Sequence, residues 1–457
     1  MSIFFKRKFI RKNIKNHEKY WLCTISVFIK NNCMKKLFLI LLLCIFTCIG
    51  FSQDREYAKN IVEKLSSDNM YGRGYVKNGC NKAAKYLGKE MKSIGLKSFD
   101  KNYAQKYTFN VNSFPGKMDI TVDGKRLKSG IDYIIHPGCI GQKKTYKLLF
   151  VPDTVTMVKS IYQVVDTSRL ENTMVVLPVS MQKHIIRQIA GLHNVIFLSN
   201  KIYWFVSHSE DSHEDCVLEM RSDALSKSSK IIEVAYNNKF LKDFEAKNVV
   251  GYVQGAVKPD SSIVFTAHYD HLGCMGKHTI FNGASDNATG TAFVLSLAKY
   301  YAMHPEKAYY TMIFVLLSGE EVGIYGSTYN ASHPQWNLGS TRLLINFDMV
   351  GTGSEGITMV NSTIFPKKTQ LLKNINDKNN LIPEIKDRGA SCNSDHCPYY
   401  KKGVPAFFIY TRGKENTEYH TVTDTAEKIQ FTIFEGLLDL TTSYVDQVKS
   451  PIFNRIK

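Results

Sequence analysis

Five short segments in the second half of a 457-residue chain each supply an acid or a histidine: His268-Tyr269-Asp270, Ser285-Asp286-Asn287, Gly319-Glu320-Glu321, Phe347-Asp348-Met349 and Tyr419-His420-Thr421. Two divalent cations held close together need several carboxylates and imidazoles, and the five segments jointly provide such a set. Taken singly, each has an ordinary explanation. A His-x-Asp pair is commonly a solvated strand end. Asp286, in the loop FNGASDNATG before a helical pattern, is placed for N-capping. Glu-Glu pairs are frequent on surfaces, and His420 sits in the polar loop GKENTEYHTVTDT.

Their setting argues for chemistry. The apolar runs SIVFTA, TMIFVLL and RLLINF lead directly into His268, into Ser318-Gly319-Glu320 and into Asp348. In open α/β sheets ligands bind outside the carboxyl ends of the strands, so these polar groups converge on one edge. A carboxylate that ends an apolar strand must be hydrogen-bonded, paired or metal-bound if it is buried. The imidazole of His268 can bind a metal through one nitrogen while a carboxylate accepts from the other. Asp286 can bridge two cations with its two oxygens. Consecutive side chains diverge, so Glu320 and Glu321 suit a division between metal ligand and general base.

The elements that must position these residues read as apolar strands alternating with helices. Strands are expected at 248–255, 262–267, 311–317, 342–347 and 405–410, with helices at 288–302 and 427–448. Continuous apolar strands with helical connections predict an α/β fold, a three-layer α/β/α domain whose sheet is mixed and parallel in its middle. Upstream, Tyr57, Ala58, Ile61, Val62 and Leu65 recur at helical spacing, as do Ala83, Ala84, Leu87, Met91 and Ile94 before Gly95. Between them and the main domain lie short β-rich runs, including MDITVDGKRL with its Asp123-Gly124 hairpin signal. The expected organisation is N-terminal helices of the main domain at 53–104, a β-rich insertion at 105–247 and the main domain at 248–457.

With these residues in view, the ordered segments AHYDHLG, NGASDNATG, LLSGEEVGIYGS, NFDMVG, SDHCPYYKKGVPA and YHTVTDTAEKI resemble the co-catalytic zinc exopeptidases of metallopeptidase family twenty-eight. That group includes bacterial leucyl aminopeptidases, aminopeptidase Y and glutamate carboxypeptidases. The likeness covers about residues 248–448 and the two opening helices. It implies a zinc-dependent aminopeptidase acting on peptide or protein N-termini, with two zinc ions per chain. It further implies that His268 and Asp348 hold one ion, that Glu321 and His420 hold the other, and that Asp286 bridges them. Glu320 becomes the general base, Asp270 the partner of His268, and the Asp286-Asn287 peptide bond is expected to be cis. The insertion stands where relatives carry a protease-associated or lid-like domain.

Other readings remain open at this point. A glutaminyl cyclase of the same structural group would use a single zinc, and a receptor on the same fold would need no catalysis. A carboxypeptidase would need arginines for a terminal carboxylate, and Arg388 and Arg412 lie in expected loops near the site. The formal charge of +18 invites a polyanion-binding reading. About half of that charge lies in the first 36 residues, and the rest is spread without the aromatic interleaving of nucleic-acid sites, so no nucleic-acid partner is expected.

From Leu37 to Phe51 the chain is almost wholly apolar, following Lys35-Lys36 and ending in small residues before Ser52. Residues 34–52 therefore read as a signal peptide, with export to the periplasm or medium, and residues 1–33 as a possible mis-assigned extension. The run is short for a membrane span, and none is expected after cleavage. Six cysteines follow the leader, none in a Cys-x-x-Cys pair; Cys392 and Cys397 are nearest in sequence, though connectivity is not readable from spacing.

Overall fold

The computed structural model describes residues 54–449 except 101, 158–160, 162, 167, 169, 182–191, 208 and 416. The expected leader and the upstream extension lie outside the described residues. Eight strands form the main sheet: β1 (Ala104–Ser113), β2 (Lys239–Val253), β3 (Lys258–His268), β4 (Tyr310–Leu317), β5 (Thr341–Phe347), β6 (Ile357–Val360), β7 (Ile385–Arg388) and β8 (Ala406–Thr411). Their spatial order is β1-β2-β4-β3-β5-β8-β6-β7. The four central strands β4, β3, β5 and β8 are parallel, and the flanks introduce antiparallel pairs at β2/β4 and β6/β8.

The central strands are apolar throughout because both faces are covered. Along β4, Met312, Phe314 and Leu316 enter one core, while Ile313, Val315 and Leu317 enter the other. Helices α2 (Thr289–Met303) and α6 (Phe434–Asp446) cover the first face, where Phe293 lies 4.5 Å from Phe347 and 5.4 Å from Phe434 between ring centroids. Tyr399 of α5 (His396–Lys401) and Ala331 of α3 (Tyr325–Ser332) enter the second core. These layers match the α/β/α expectation. The last helix is shorter than the pattern 427–448 suggested. Residues 426–428 form a single tight turn and Phe431 takes a positive φ of 54°, so the helix starts only at Phe434. Among the described residues no helix is long and apolar enough to cross a membrane.

The opening helices fit the sequence pattern. The first ends at residue 65 with Ala58, Ile61, Val62 and Leu65 buried. The next, α1 (Gly79–Ser93), buries Ala83, Ala84, Leu87 and Met91 and stops before Gly95, whose φ of 84° lies in the left-handed region that glycine tolerates. A further helix, α4 (Pro366–Asn379), precedes β7.

The stretch 105–247 is divided differently from the expectation. Its two ends belong to the main sheet, since β1 pairs antiparallel with β2 from Ala104↔Val249 to Ser113↔Lys239. What stands apart is a second eight-stranded sheet whose strands run from Met118 to Tyr236. It includes the Asp123-Gly124 hairpin, with both residues at positive φ, and a parallel core of Gln142–Phe150, Thr173–Leu177, Asn194–Ser199 and Cys216–Arg221. Polar alternation along β1 and β2 reads as an independent β unit, yet their buried residues, Tyr107, Val111, Ala246 and Val249, belong to the core shared with the helices.

Candidate functional site

The five segments meet at the carboxyl edge of β3, β4 and β5. His268 ends β3, and its Nε2 stands 3.3 Å from Asp348 Oδ1, just past β5, and 3.3 Å from Asp286 Oδ1. The other oxygen of Asp286, Oδ2, lies 3.1 Å from His420 Nε2, which in turn lies 3.2 Å from Glu321 Oε2. One carboxylate thus faces two imidazoles, each with a second acid beside it. All five residues are buried.

Local sequence explains this geometry. Asp286 does not cap α2: its backbone is extended, and the peptide bond to Asn287 is cis. The Asn287 side chain, just ahead of the N-cap Ala288, holds the first turn instead, accepting from Gly290 N at 2.8 Å and Met349 N at 3.0 Å while donating to Phe347 O. The Asp286 carboxylate is thereby released toward the histidines. Gly283 makes the approach possible: at φ 62° a Cβ would stand 2.3 Å from the His271 ring and 2.4 Å from Asp286 O.

Asp348 is fixed by a hydrogen-bonded chain across strands, with Thr266 donating to Asn346, Asn346 to Ser394, and Ser394 Oγ to Asp348 Oδ2 at 2.9 Å. The turn after β4 is held from the flank, where Tyr107 Oη donates to Ser318 O at 2.7 Å and Ser318 N donates to Asn248. Asp270 acts on the same turn. Its carboxylate accepts from Glu320 N at 3.2 Å and Glu321 N at 3.4 Å, and it stands 3.7 Å from His268 Nδ1. His268 Nδ1–H donates instead to the Asp270 carbonyl, at 3.2 Å. The pairing of Asp270 with His268 is therefore made mainly through the backbone, while the side chain orients the Glu-Glu turn.

Three residues that the sequence reading did not single out complete the site. His271 donates or accepts at 2.7 Å between Nδ1 and Glu321 Oε1, leaving its Nε2 without a partner. It was visible as the last residue of His268-x-x-His271. Asp424 accepts the backbone N–H groups of Ser285 and Asp286 at 2.8 and 3.1 Å. Arg73 is fully buried and donates to five carbonyls, those of Leu65, Tyr269, Asn282, Gly283 and Asp286. A guanidinium has five N–H donors in a rigid fork, which suits a clamp on two loops. Nothing in the spacing around Arg73 pointed to a site 200 residues away.

The electrostatics are those of a crowded acidic cavity. Asp270, Asp286, Glu321, Asp348, Asp395 and Asp424 are all buried. Burial pushes Asp270 up to about 7 and Asp395 up to about 6. Glu320 is raised well above its ordinary range by burial, with Asp395, Glu321 and Asp348 adding and His268 opposing. Burial would lower His420, but Glu321 and Asp286 outweigh it and hold the ring up to about 10. Burying this much negative charge is expensive unless cations offset it. Two imidazole or carboxylate atoms about 2.0–2.1 Å from a common tetrahedral ion stand about 3.3–3.4 Å apart, close to the separations here. The groups His268/Asp286/Asp348 and His271/Asp286/Glu321 each bring three such atoms within 4.8 Å of one another, so the residues fit two ions.

The second sheet touches the site. Trp204 N donates to His420 O at 3.1 Å, Lys201 Nζ to Thr417 O at 2.6 Å, and the Phe205 ring lies 4.7 Å from that of His420. Arg412, one of the two arginines considered for a terminal carboxylate, is occupied by Glu384 and Glu355; Arg388 ends β7 and donates to Tyr410 Oη at 3.2 Å.

Comparison with known proteins agrees with this architecture. Residues 248–445 match the sequence family described as Peptidase family M28. A probable zinc metalloprotease of Pyrenophora tritici-repentis is 36% identical over 113 residues, which cover 24% of this chain and 23% of that protein. A probable leucine aminopeptidase of Arthroderma otae is 24% identical over 195 residues, 41% of this chain and 52% of the relative. The matched stretches thus span between a quarter and about half of these relatives. Among solved structures, a zinc aminopeptidase from Bacillus subtilis superposes with a TM-score of 0.64 at 18% identity, covering 85% of this chain and 93% of its own. An M28 peptidase precursor from Shewanella amazonensis gives 0.63 at 14%, covering 89% and 98%. The α/β fold is therefore that of the M28 aminopeptidase structures.

Proposed function

We propose that the chain is an exported zinc aminopeptidase that holds two zinc ions and removes residues from the free N-termini of peptides. The observation that carries this reading is Asp286, whose two oxygens face separate imidazoles at 3.3 and 3.1 Å, each imidazole paired with a further acid. His268 and Asp348 would hold one ion and His420 and Glu321 the other, with Asp286 shared. Bound there, zinc supplies Lewis-acid polarisation of the scissile carbonyl and acidifies water. The names of the fungal relatives and of the Bacillus subtilis structure support zinc and aminopeptidase chemistry.

The chain's own residues then divide the work. Glu320, partly exposed at the end of β4, takes the proton of the attacking water and returns it to the leaving amine. Its raised affinity for protons suits that second step. Asp270 sets the backbone that turns Glu320 and Glu321 in different directions. A single-ion cyclase would leave the cluster around Glu321, His271 and His420 without use, and the pairing of Arg412 with two acids removes one carboxylate-binding candidate. The Cys392–Cys397 disulfide supports an oxidising compartment.

Direction and specificity are tested by assaying leucine, alanine and lysine anilides beside an N-blocked peptide with a free C-terminus. Turnover of the anilides alone is expected. Turnover of the blocked peptide alone would overturn the aminopeptidase assignment.

A further inference from the structure

A second group of metal-binding side chains lies in the other sheet, away from the catalytic cluster. His136 and His213 face each other with Nδ1 and Nε2 3.2 Å apart, and the Cys139 thiol completes a set whose three ligand atoms lie within 4.8 Å of one another. Cys139 is fully buried, and the two histidines are partly so. We propose that His136, Cys139 and His213 form a three-donor binding site for one further zinc ion, which joins two segments of the inserted unit where both rest on the peptidase sheet.

Three features of the backbone prepare the site. Residues 138–140 and His213 are laid side by side by paired hydrogen bonds, His213 N to Gly138 O at 2.8 Å and Ile140 N to His213 O at 3.0 Å. Gly138 leaves room for the ring, since a Cβ there would stand 2.9 Å from two atoms of the His213 imidazole. The sulfur accepts Val217 N–H at 3.4 Å, a bond that a thiolate strengthens. Two nitrogens on one tetrahedral zinc stand about 3.3–3.4 Å apart, close to the observed 3.2 Å, and binding would release His136 Nδ1 from the Gly138 N–H that it accepts at 3.2 Å.

The chemistry of the donors selects the ion. A thiolate with two imidazoles favours zinc over the hard cations calcium and magnesium, which prefer oxygen. Asp215 Oδ2 stands 4.0 Å from His213 Nδ1, on the side of the ring away from the cluster.

The position explains what such a clip would do. Asn112 of β1 donates to Pro137 O and Cys139 O at 2.8 and 2.9 Å, and its own N–H donates to Ser209 O at 2.6 Å. Both segments that carry the three donors therefore rest on one residue of the peptidase sheet. The inserted unit also presents Phe205, in the segment after its strand Asn194–Ser199, to His420.

The test uses cobalt in the full chain, because the catalytic cluster contains no sulfur and cannot give a thiolate-to-cobalt charge-transfer band. Metal-free protein titrated with Co2+ should develop this near-ultraviolet band, with a final amplitude that corresponds to one thiolate-bound cobalt per chain. The band should persist in His420→Ala and Cys216→Ser and disappear in Cys139→Ser. His136→Asn, which retains hydrogen-bonding groups, should weaken cobalt binding at this site at least about 10-fold with the circular dichroism spectrum unchanged. Absence of the band in the folded wild type, or its survival in Cys139→Ser, would overturn the site whatever the outcome of the peptidase assays.

Discussion

Arg73 Nη2 donates to the backbone carbonyl of Asp286 at 3.1 Å, joining the turn between the two opening helices to the loop that carries the shared carboxylate. The same side chain reaches Tyr269 O, between His268 and Asp270. Replacing it with leucine would strip the donors from five carbonyls. Arg73→Leu is expected to lower unfolding free energy by about 3–5 kcal/mol, measured by urea denaturation in zinc buffer. A change below about 1 kcal/mol would show that the clamp is dispensable.

Glu320 and Glu321 are adjacent yet face different partners. Glu320→Gln is expected to reduce kcat by about 10²–10⁴-fold with zinc content per chain unchanged by elemental analysis. If the variant also loses zinc, Glu320 is a ligand and the assignment of the base fails.

His271 is placed to orient Glu321 through the 2.7 Å contact with Oε1. Substitution by alanine should weaken one of the two proposed zinc ions by about 10–100-fold and leave the other in place, as read by competition with a graded series of chelators. Equal weakening of both would point to a general collapse of the site.

The metal-free protein should respond to pH in a defined direction. His420 is raised from 6.5 to about 10 by Glu321 and Asp286, so its contribution to stability is full below 6.5 and is lost as pH rises through 10. Glu321, lowered from 4.5 to about 2 by His420 and His271 against the opposing effect of burial, contributes fully above 4.5 and loses this as pH falls through 2. From these two groups the Tm of chelator-treated protein should be highest between about 4.5 and 6.5 and decline toward pH 10, with the raised Asp270 and Asp395 drawing the optimum to the acid end of that window. Zinc should flatten the alkaline limb, because it replaces the proton as the charge on His420. An alkaline limb unchanged by zinc would place the destabilising titration elsewhere.

The central sheet was readable because strands covered on both faces leave long apolar runs, and His268, Glu320 and Asp348 were readable because they interrupt those runs at their ends. His420 had no such context; only the ordered likeness to known exopeptidases singled it out. Arg73, Asp424 and Asn287 were opaque for a different reason. They act on backbone N–H and C=O groups, which every residue possesses, so no side-chain pattern marks their targets. The same applies to β1 and β2, where exposed polar residues obscured a shared core. His136 and Cys139 were passed over because the thiolate pattern sought was Cys-x-x-Cys, and the third donor lies 74 residues further along.

The Trp204–His420 backbone contact bears on how small a working enzyme could be made. A chain trimmed to residues 248–457 would retain all five imidazole and carboxylate segments. It would lose the Arg73 clamp, the Tyr107 support beneath Ser318 and the Trp204 N–H that holds the His420 loop. Residues 248–457 thus carry the site's side chains without their scaffold, and autonomous expression of that stretch should yield a protein that neither folds cooperatively nor retains metal.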